Sequence, residues 1–503
     1  MSRPIEDPNS DLGGAIVTGA RWTGASQVAV QLVRLASVAV LARLLSPEHF
    51  GLMAMALVVT NFLEIFKDLG TSAALIQRRQ LSRSLPDTLF VVNLGVGLLL
   101  SAAVYAAAPL VARVYDDPDV VPVLRVMCLA ILISSTAVVH QALLRRSMRF
   151  ARLGLVQMSN ALMTALSSIL LAAFGLGVWA LAWGLVLGTT GGAMVAWVAA
   201  RWTPHLRFRM ADLREVLSFS LNLSGERLAT FALFSLDKVF IGRFLGASIL
   251  GLYSVAQRIL IQPVNTATRA LHDVLFAGLS RLQDDADALA DAYVRTTAGV
   301  AMIIFPVVGG LGAVADPAVP LVLGGEWAPA APIVAILAPG VAVKALISTT
   351  GKVYMVRART DLMLRWSIFS GSVTAAAWYA GLPWGLEGVA AGFTLAVLAL
   401  AYPAFAIPLR LISLPVRRLA RALAPITAAS LAMVLTALAV LEFGSRMGAS
   451  DGLRLSVAIM AGTVTYGGTC WWLRLPSIDD LARLIGHDLP KRSVRRPSKR
   501  AIS

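Results

Sequence analysis

An all-α membrane fold, a polytopic bundle of about fourteen transmembrane helices, follows from three features of the sequence. Apolar stretches succeed one another along the whole chain, each near the length of about 20 residues that crosses a hydrocarbon core as a helix. Basic residues collect in every second gap between those stretches. Only 14% of the 503 residues are charged, where soluble domains have about a quarter, and the mean hydropathy is +0.74.

The spans fall near 20–44, 50–76, 86–111, 122–143, 153–174, 178–200, 215–244, 249–275, 294–314, 330–354, 362–381, 385–409, 421–442 and 452–473. The odd gaps are short and poor in basic residues: Ser46 to His49, Asp116 to Asp119, Gly175 to Gly177, Gly246 to Ser248, Asp316 to Trp327, Leu382 to Trp384 and Phe443 to Asp451. The even gaps carry Arg78/Arg79/Arg83, Arg145/Arg146/Arg149/Arg152, Arg201/Arg207/Arg209/Arg214, Arg357/Arg359 and Arg410/Arg417/Arg418/Arg421. Lys and Arg are kept on the cytoplasmic side of short loops, so an even number of spans places both termini in the cytoplasm of a multi-pass cell-membrane protein.

One even gap departs from the rule. Residues 279–295 are acidic and place Leu279, Leu282, Ala286, Leu289 and Tyr293 at helical spacing, which predicts an amphipathic interfacial helix. No internal gap is long enough for a separate soluble domain. The N-terminal residues are polar and lack a cleavage pattern, so they are expected to be retained. The net charge of +16 sits in the loops and in a C-terminal tail with Lys491, Arg492, Arg495, Arg496, Lys499 and Arg500. That placement fits headgroup attraction and argues against nucleic acid as a partner. Cys128 and Cys470 lie inside apolar runs and the histidines show no ligand spacing, so neither a disulfide nor a metal site is expected.

A repeat divides the chain. RLLSPEHFGLMAMA (43–56) is echoed by RFLGASILGLYSVA (243–256), with Arg43/Arg243, Leu45/Leu245, Gly51/Gly251, Leu52/Leu252 and Ala56/Ala256 coinciding at a constant offset of 200. Each segment joins an odd span to the next, so spans 1–6 and 7–12 read as parallel copies. Paired halves with a site between them are a common transporter plan. The expected organisation is an N-terminal tail (1–19), a first lobe (20–200), a linker (201–214), a second lobe (215–409), two further spans (410–474) and a basic tail (475–503).

Charges at membrane depth are costly and usually face a bundle interior or a wet cavity. Span 1 carries Gln27, Gln31 and Arg34 on one stripe, and span 2 carries Asn61, Glu64 and Asp68. Span 7 carries Asn222, Glu226 and Arg227, span 8 carries Arg258, Gln262 and Asn265, and span 10 carries Lys344. Arg34, Arg227, Arg258 and Lys344 are the deepest cations, and together they describe a positive cavity suited to phosphate or diphosphate, for which Arg offers a bidentate fork. Two readings fit Lys67, Asp237, Lys238 and Lys352: structural ion pairs, or groups of the site. Arg43, Arg243 and Arg269 lie near span ends and are expected to snorkel to headgroups. Pro263, Pro306 and Pro339 fall inside spans as hinges or plain kinks.

With those residues in view, four stretches carry a resemblance: 44–77, LGLYSVAQRILIQPVN (250–265), LSRLQDDADALADAY (279–293) and GGEWAPAAPIVAILA (324–338). The chain resembles the polysaccharide flippases of the multidrug/oligosaccharidyl-lipid/polysaccharide exporter superfamily, its Wzx-like branch. The resemblance implies two pseudo-symmetric six-helix lobes around a central cavity, with two further helices at the C-terminus. It implies a polyprenyl-diphosphate-linked oligosaccharide as substrate, polysaccharide polymerase and export machinery as partners, and a diphosphate role for Arg34, Arg227, Arg258 and Lys344. It implies no catalytic residues. The sequence holds no G-x-x-x-x-G-K-S/T nucleotide-binding stretch and no cofactor is expected, so export is drawn by consumption on the far side, by membrane potential, or by an ion, H⁺ or Na⁺, exchanged through the cavity. The acids available for that ion are Glu64, Asp68 and Glu226.

A cation-coupled drug antiporter of the same superfamily would need an acidic cavity. A membrane-embedded polymerase or acyltransferase would need large outer loops or His/Asp pairs, which the short odd gaps do not provide.

Overall fold

The computed structural model describes residues 10–68, 71–77, 84–205, 207–210, 235–281 and 285–473. Among these, α-helices and short 3₁₀ turns form all the regular structure. The first half holds α1 (Ser10–Leu44), α2 (Pro47–Asp68), α3 (Thr71–Gln77), α4 (Leu85–Tyr115), α5 (Val120–Arg146), α6 (Phe150–Ala173) and α7 (Val178–Ala200). The second half holds α8 (Leu236–Leu245), α9 (Ala247–Arg281), α10 (Ala286–Ala313), α11 (Ala315–Leu323), α12 (Ala330–Val356), α13 (Thr360–Gly381) and α14 (Gly385–Arg410). Two more helices follow, α15 (Val416–Arg446) and α16 (Asp451–Trp472).

Among the described residues, nine stretches are long and apolar enough to cross a membrane. One of them, Thr360–Arg410, is α13 and α14 joined by a single 3₁₀ turn. The long helices α2, α9 and α16 are not among the nine. Of these, α2 and α9 carry the polar stripes read from the sequence, and those stripes lower their hydropathy. The outward faces of the others are rich in Leu, Val and Phe, with Leu98, Leu99, Leu110, Leu166, Leu170 and Val198 exposed as lipid-facing residues must be.

Several boundaries differ from the sequence reading. Helix α1 starts at Ser10, ten residues before the expected span. The expected second span is two helices, α2 and α3. The described part of the acidic stretch 279–295 from Asp285 on is not an interfacial helix. Helix α9 runs to Arg281 and α10 begins at Ala286, its first turn capped by the Asp285 carboxylate, which accepts from the amides of Asp287 (3.1 Å) and Ala288 (3.0 Å). Leu289 and Tyr293 are buried and Asp291 pairs with Arg418 of α15, so from Asp287 on the stretch is the start of a packed span. The side chains of Leu279, Leu282 and Ala286 lie outside the described residues. Pro263, Pro306 and Pro339 lie within α9, α10 and α12 without ending them.

The alternation of loops has a direct structural counterpart. At one end the basic-poor gaps meet one another: Gly177 packs on His49, and Phe240 and Phe244 stack edge-on against Tyr379. At the other end the Arg-rich gaps meet. Arg146 donates to the Leu75 carbonyl (2.7 Å) and Arg152 to the Ala199 carbonyl (2.8 Å). There the amide of His205 donates to Asp87 (3.0 Å) and the amide of Arg209 to Thr88 (3.2 Å), laying the segment after α7 across the start of α4.

Within the first half α6 packs on α7 and α1, and α5 on α4 and α7. In the second, α12 packs on α14, α10 and α9. Helices α15 and α16 pack on each other, and α15 rests on α10.

The halves meet at the arginine-poor end, where α2 lies against α9. A β-carbon at Gly51 would run into the Ala247 carbonyl, and one at Gly251 into the Pro47 carbonyl. Only glycine allows backbones that close. Trp327, fully buried, donates its indole N–H to the Ala42 carbonyl (2.7 Å) and meets Phe50 edge-on (ring centroids 5.1 Å apart). Arg43 and Arg243 do not reach for headgroups here. Arg43 donates to the carbonyls of Leu321 and Val322 (3.0 Å to the latter), and Arg243 pairs with Asp116 at 2.9 Å. Each arginine therefore clamps its own half to the other.

Candidate functional site

Below that seal, toward the arginine-rich end, the halves part around a cavity of about 470 Å³. Helical spacing decides what lines it, since residues three and four apart share a face. Arg34, Ser37, Val38 and Leu41 come from α1, and Phe50, Met53, Leu57 and Asn61 from α2. Asn160, Thr164 and Ser168 come from α6, and Ser254, Gln257, Arg258, Ile261 and Gln262 from α9. Lys238, in the first turn of α8, completes the wall.

The lining is apolar over much of its area but carries three cations, Arg34, Lys238 and Arg258. Among the described lining residues there is no Asp or Glu. Arg34 and Arg258 come from opposite halves, are exposed residues, and are close enough to act on one another electrostatically. One helical turn away, Gln31 donates to the side-chain and backbone carbonyls of Gln262 (3.5 Å to the backbone), a second contact between halves. Gln27 is turned the other way. It donates to Gln157 of α6 (2.7 Å) and ties α1 into its own half.

A buried acid backs the C-terminal wall. Asp237 is 2% exposed. Its Oδ1 accepts from the Lys238 amide (2.8 Å), and its Oδ2 from the Tyr253 hydroxyl (3.0 Å) and Gln257 Nε2 (2.8 Å). A buried carboxylate needs such donors to remain in a low-dielectric wall. Asp237 also acts electrostatically on Lys344 of α12, whose ammonium lies over the Phe393 ring at 5.1 Å from its centroid. Adjacent residues on α8 thus diverge: the acid points into the protein and Lys238 into the cavity.

The residues named from the sequence fall into three groups. Arg34, Arg258, Asn61 and Gln262 line the cavity, and Gln31 closes over one side of it. Lys344 lies behind the wall with Asp237, and half-buried Asn265 lies beyond Gln262 on α9 outside the lining. Glu64 pairs with Lys67 at 2.8 Å, and Lys67 also donates to Ser134 (2.8 Å). Asp68 ends α2. Asn222, Glu226 and Arg227 lie outside the described residues. The sequence reading missed the stripe Gln157, Asn160, Thr164 and Ser168 on α6. Its spacing of three, four and four residues was visible, but no member is charged, so nothing marked it off from ordinary span polarity. Among the described residues no group of His, Cys, Asp and Glu could hold a metal ion.

Apolar helices in two interlocked halves, parted around a charged cavity at membrane depth, define a multi-pass membrane protein of the transporter kind. The chain belongs to the polysaccharide biosynthesis protein family, whose pattern matches residues 40–332. It is 26% identical over 386 residues to the lipopolysaccharide biosynthesis protein WzxC of Escherichia coli (strain K12), covering 75% of this chain and 78% of that one. It is 29% identical over 317 residues to the succinoglycan biosynthesis transport protein ExoT of Rhizobium meliloti (strain 1021), covering 63% and 64%. Among solved structures the lipid II flippase MurJ, in an inward closed conformation, superposes with a TM-score of 0.73 at 12% identity, over 92% of this chain and 99% of that chain. The resemblance read from the sequence to the Wzx-like flippases is borne out, and so is the all-helical fold.

Proposed function

We propose that this protein is a flippase for polyprenyl-diphosphate-linked oligosaccharide, carrying the headgroup through the cavity between its halves from the cytoplasmic to the outer leaflet. The observation that carries the reading is the cavity wall: Arg34, Lys238 and Arg258 drawn from both halves, with no acid among the described lining residues. A diphosphate meets a forked, partly desolvated set of donors there. A cationic drug meets repulsion. The family and the names of the relatives support the same substrate class.

By the distribution of Arg the arginine-rich end faces the cytoplasm, which puts both termini there and the Gly51/Gly251 seal on the outer side. Polysaccharide polymerase and export machinery are the partners this role requires on that outer side. Export is drawn by consumption on the far side, by membrane potential, or by a coupling ion, H⁺ or Na⁺, exchanged through the cavity. Of the acids read from the sequence for that role, Glu64 is the one whose side chain is described, and its ion pair with Lys67 is the contact a proton would break.

The test is reconstitution. Proteoliposomes loaded with a fluorescent polyprenyl-diphosphate oligosaccharide should translocate it with the wild-type chain. Arg34→Ala/Arg258→Ala should lose most of that transport at normal membrane abundance, since it removes two of the three cations of the cavity wall, and with them both guanidinium forks. Full transport by the double variant would overturn the reading.

A further inference from the structure

A second recess lies away from the central cavity, and no residue lining it is shared with that site. Helix α14 ends at Arg410, the chain turns within 411–415, and α15 starts at Val416 and leaves to pack on α10 and α16. The two helices therefore diverge from a tight joint and leave a groove of about 480 Å³ between them. Its floor on α14 is the stripe Tyr402, Ala406 and Arg410, spaced by four, and its wall on α15 is Val416, Arg417 and Ala420.

The chemistry is graded along the groove. Both guanidiniums sit at the mouth, at the arginine-rich end, where α14 finishes and α15 begins. Small alanines leave width behind them, and Tyr402 lies about 12 Å deeper into the apolar zone, at about 1.5 Å per residue. Arg418, the next residue after Arg417, is used otherwise, pairing with Asp291 of α10. Neither Arg410 nor Arg417 forms a salt bridge with a described acid, and both are exposed. The ligand this gradient fits has an anionic head at interface level and a hydrocarbon chain behind it, with a phosphate matching the two forks.

We infer that the groove between α14 and α15 holds one anionic phospholipid of the surrounding bilayer, its phosphate on Arg410 and Arg417 and an acyl chain along Ala406, Ala420 and Tyr402. Basic pockets between membrane helices on the cytoplasmic side bind anionic headgroups by the same physics. A polyprenyl phosphate shares the chemistry, but the groove is separate from the cavity that takes the diphosphate, so the bilayer lipid is its occupant.

The experiment is lipid retention by the full chain, read by native mass spectrometry after delipidation and exposure to equal phosphatidylglycerol and phosphatidylcholine in detergent. Wild type should retain phosphatidylglycerol selectively. Arg410→Gln/Arg417→Gln should weaken that retention about tenfold or more. Arg145→Gln, an exposed arginine at the same end outside the groove, should leave it unchanged. Ala420→Trp keeps both charges and fills the groove at an exposed position, and it should lose retention as well. Undiminished phosphatidylglycerol in the double glutamine variant or in Ala420→Trp would overturn the inference. So would displacement of phosphatidylglycerol from wild type by an equal amount of polyprenyl phosphate. None of these readings depends on transport, so they stand apart from the proposed function.

Discussion

Gly51 and Gly251 each face a backbone carbonyl at the start of the other's helix: Gly51 meets Ala247, and Gly251 meets Pro47. Both glycines and both carbonyl residues are related by the same offset of 200 that the sequence repeat shows, so the repeat unit is itself the contact between halves. The clamps obey the same exchange. Arg43, closing α1, reaches the end of α11 in the second half, and Arg243, closing α8, reaches Asp116 at the end of α4 in the first. A seal built this way closes by two copies of one gesture.

A side chain at Gly51 should hold that seal open. Overpacking a tight contact costs about 1–3 kcal/mol, which shifts a two-state balance by about 5- to 160-fold. Gly51→Val should make Ser254→Cys, in the cavity wall, reactive to an impermeant thiol reagent added from the arginine-poor side. Unchanged labelling in a folded variant would show that the seal is not the barrier on that side.

Both members of the Arg243–Asp116 pair are exposed, so its loss should cost stability only about 0–1 kcal/mol. Its effect should appear in conformational balance instead. Arg243→Asp should raise labelling of Ser254→Cys, and Arg243→Asp/Asp116→Arg should bring it back toward wild type. Failure of the exchange to restore closure would mean that the arginine acts through something other than this ion pair.

Lys238 and Lys344 should separate in their effects. Lys238→Ala removes a charge facing the cavity and should weaken binding of diphosphate by about tenfold, with melting temperature near normal. Lys344→Ala leaves the buried Asp237 with less compensation and should lower melting temperature, since stripping a partner from a buried charge is destabilising. Thermal unfolding in detergent and diphosphate titration, run on both variants, check the division.

Orientation is open to labelling as well. On a background with Cys128→Ala and Cys470→Ala, both native cysteines being buried, Ser450→Cys should react in intact cells with an impermeant reagent. Thr360→Cys should react only after permeabilisation. Both positions are exposed and lie at opposite ends of the helices. The reverse pattern would invert the topology.

The fold was legible because hydropathy and arginine placement are long-range signals that survive any detail of packing. The Arg34 and Arg258 site was legible for a related reason: a guanidinium at membrane depth has few places to be. What escaped was set by neighbours in space. Whether Lys238 or Lys344 faces the cavity depends on the rotation of α8 and α12 against their partners, and both lysines look alike in the sequence. Arg43 reads as a headgroup anchor because nothing local reveals that the carbonyls of Leu321 and Val322 come within its reach. The acidic residues that open α10 have true amphipathic spacing, but Leu289 and Tyr293 on that face are covered by protein, and the sequence does not say what covers a face.

Trp327 gives the molecule an optical signal of its own. Its indole is buried to 0% exposure and bonded across the boundary to Ala42, so separation of the halves at that end exchanges a dry hydrogen bond for water. Emission from this one ring should then move to longer wavelength. In a chain with the other ten tryptophans replaced, of 11 in all, the conformational cycle could be followed in real time with no label attached.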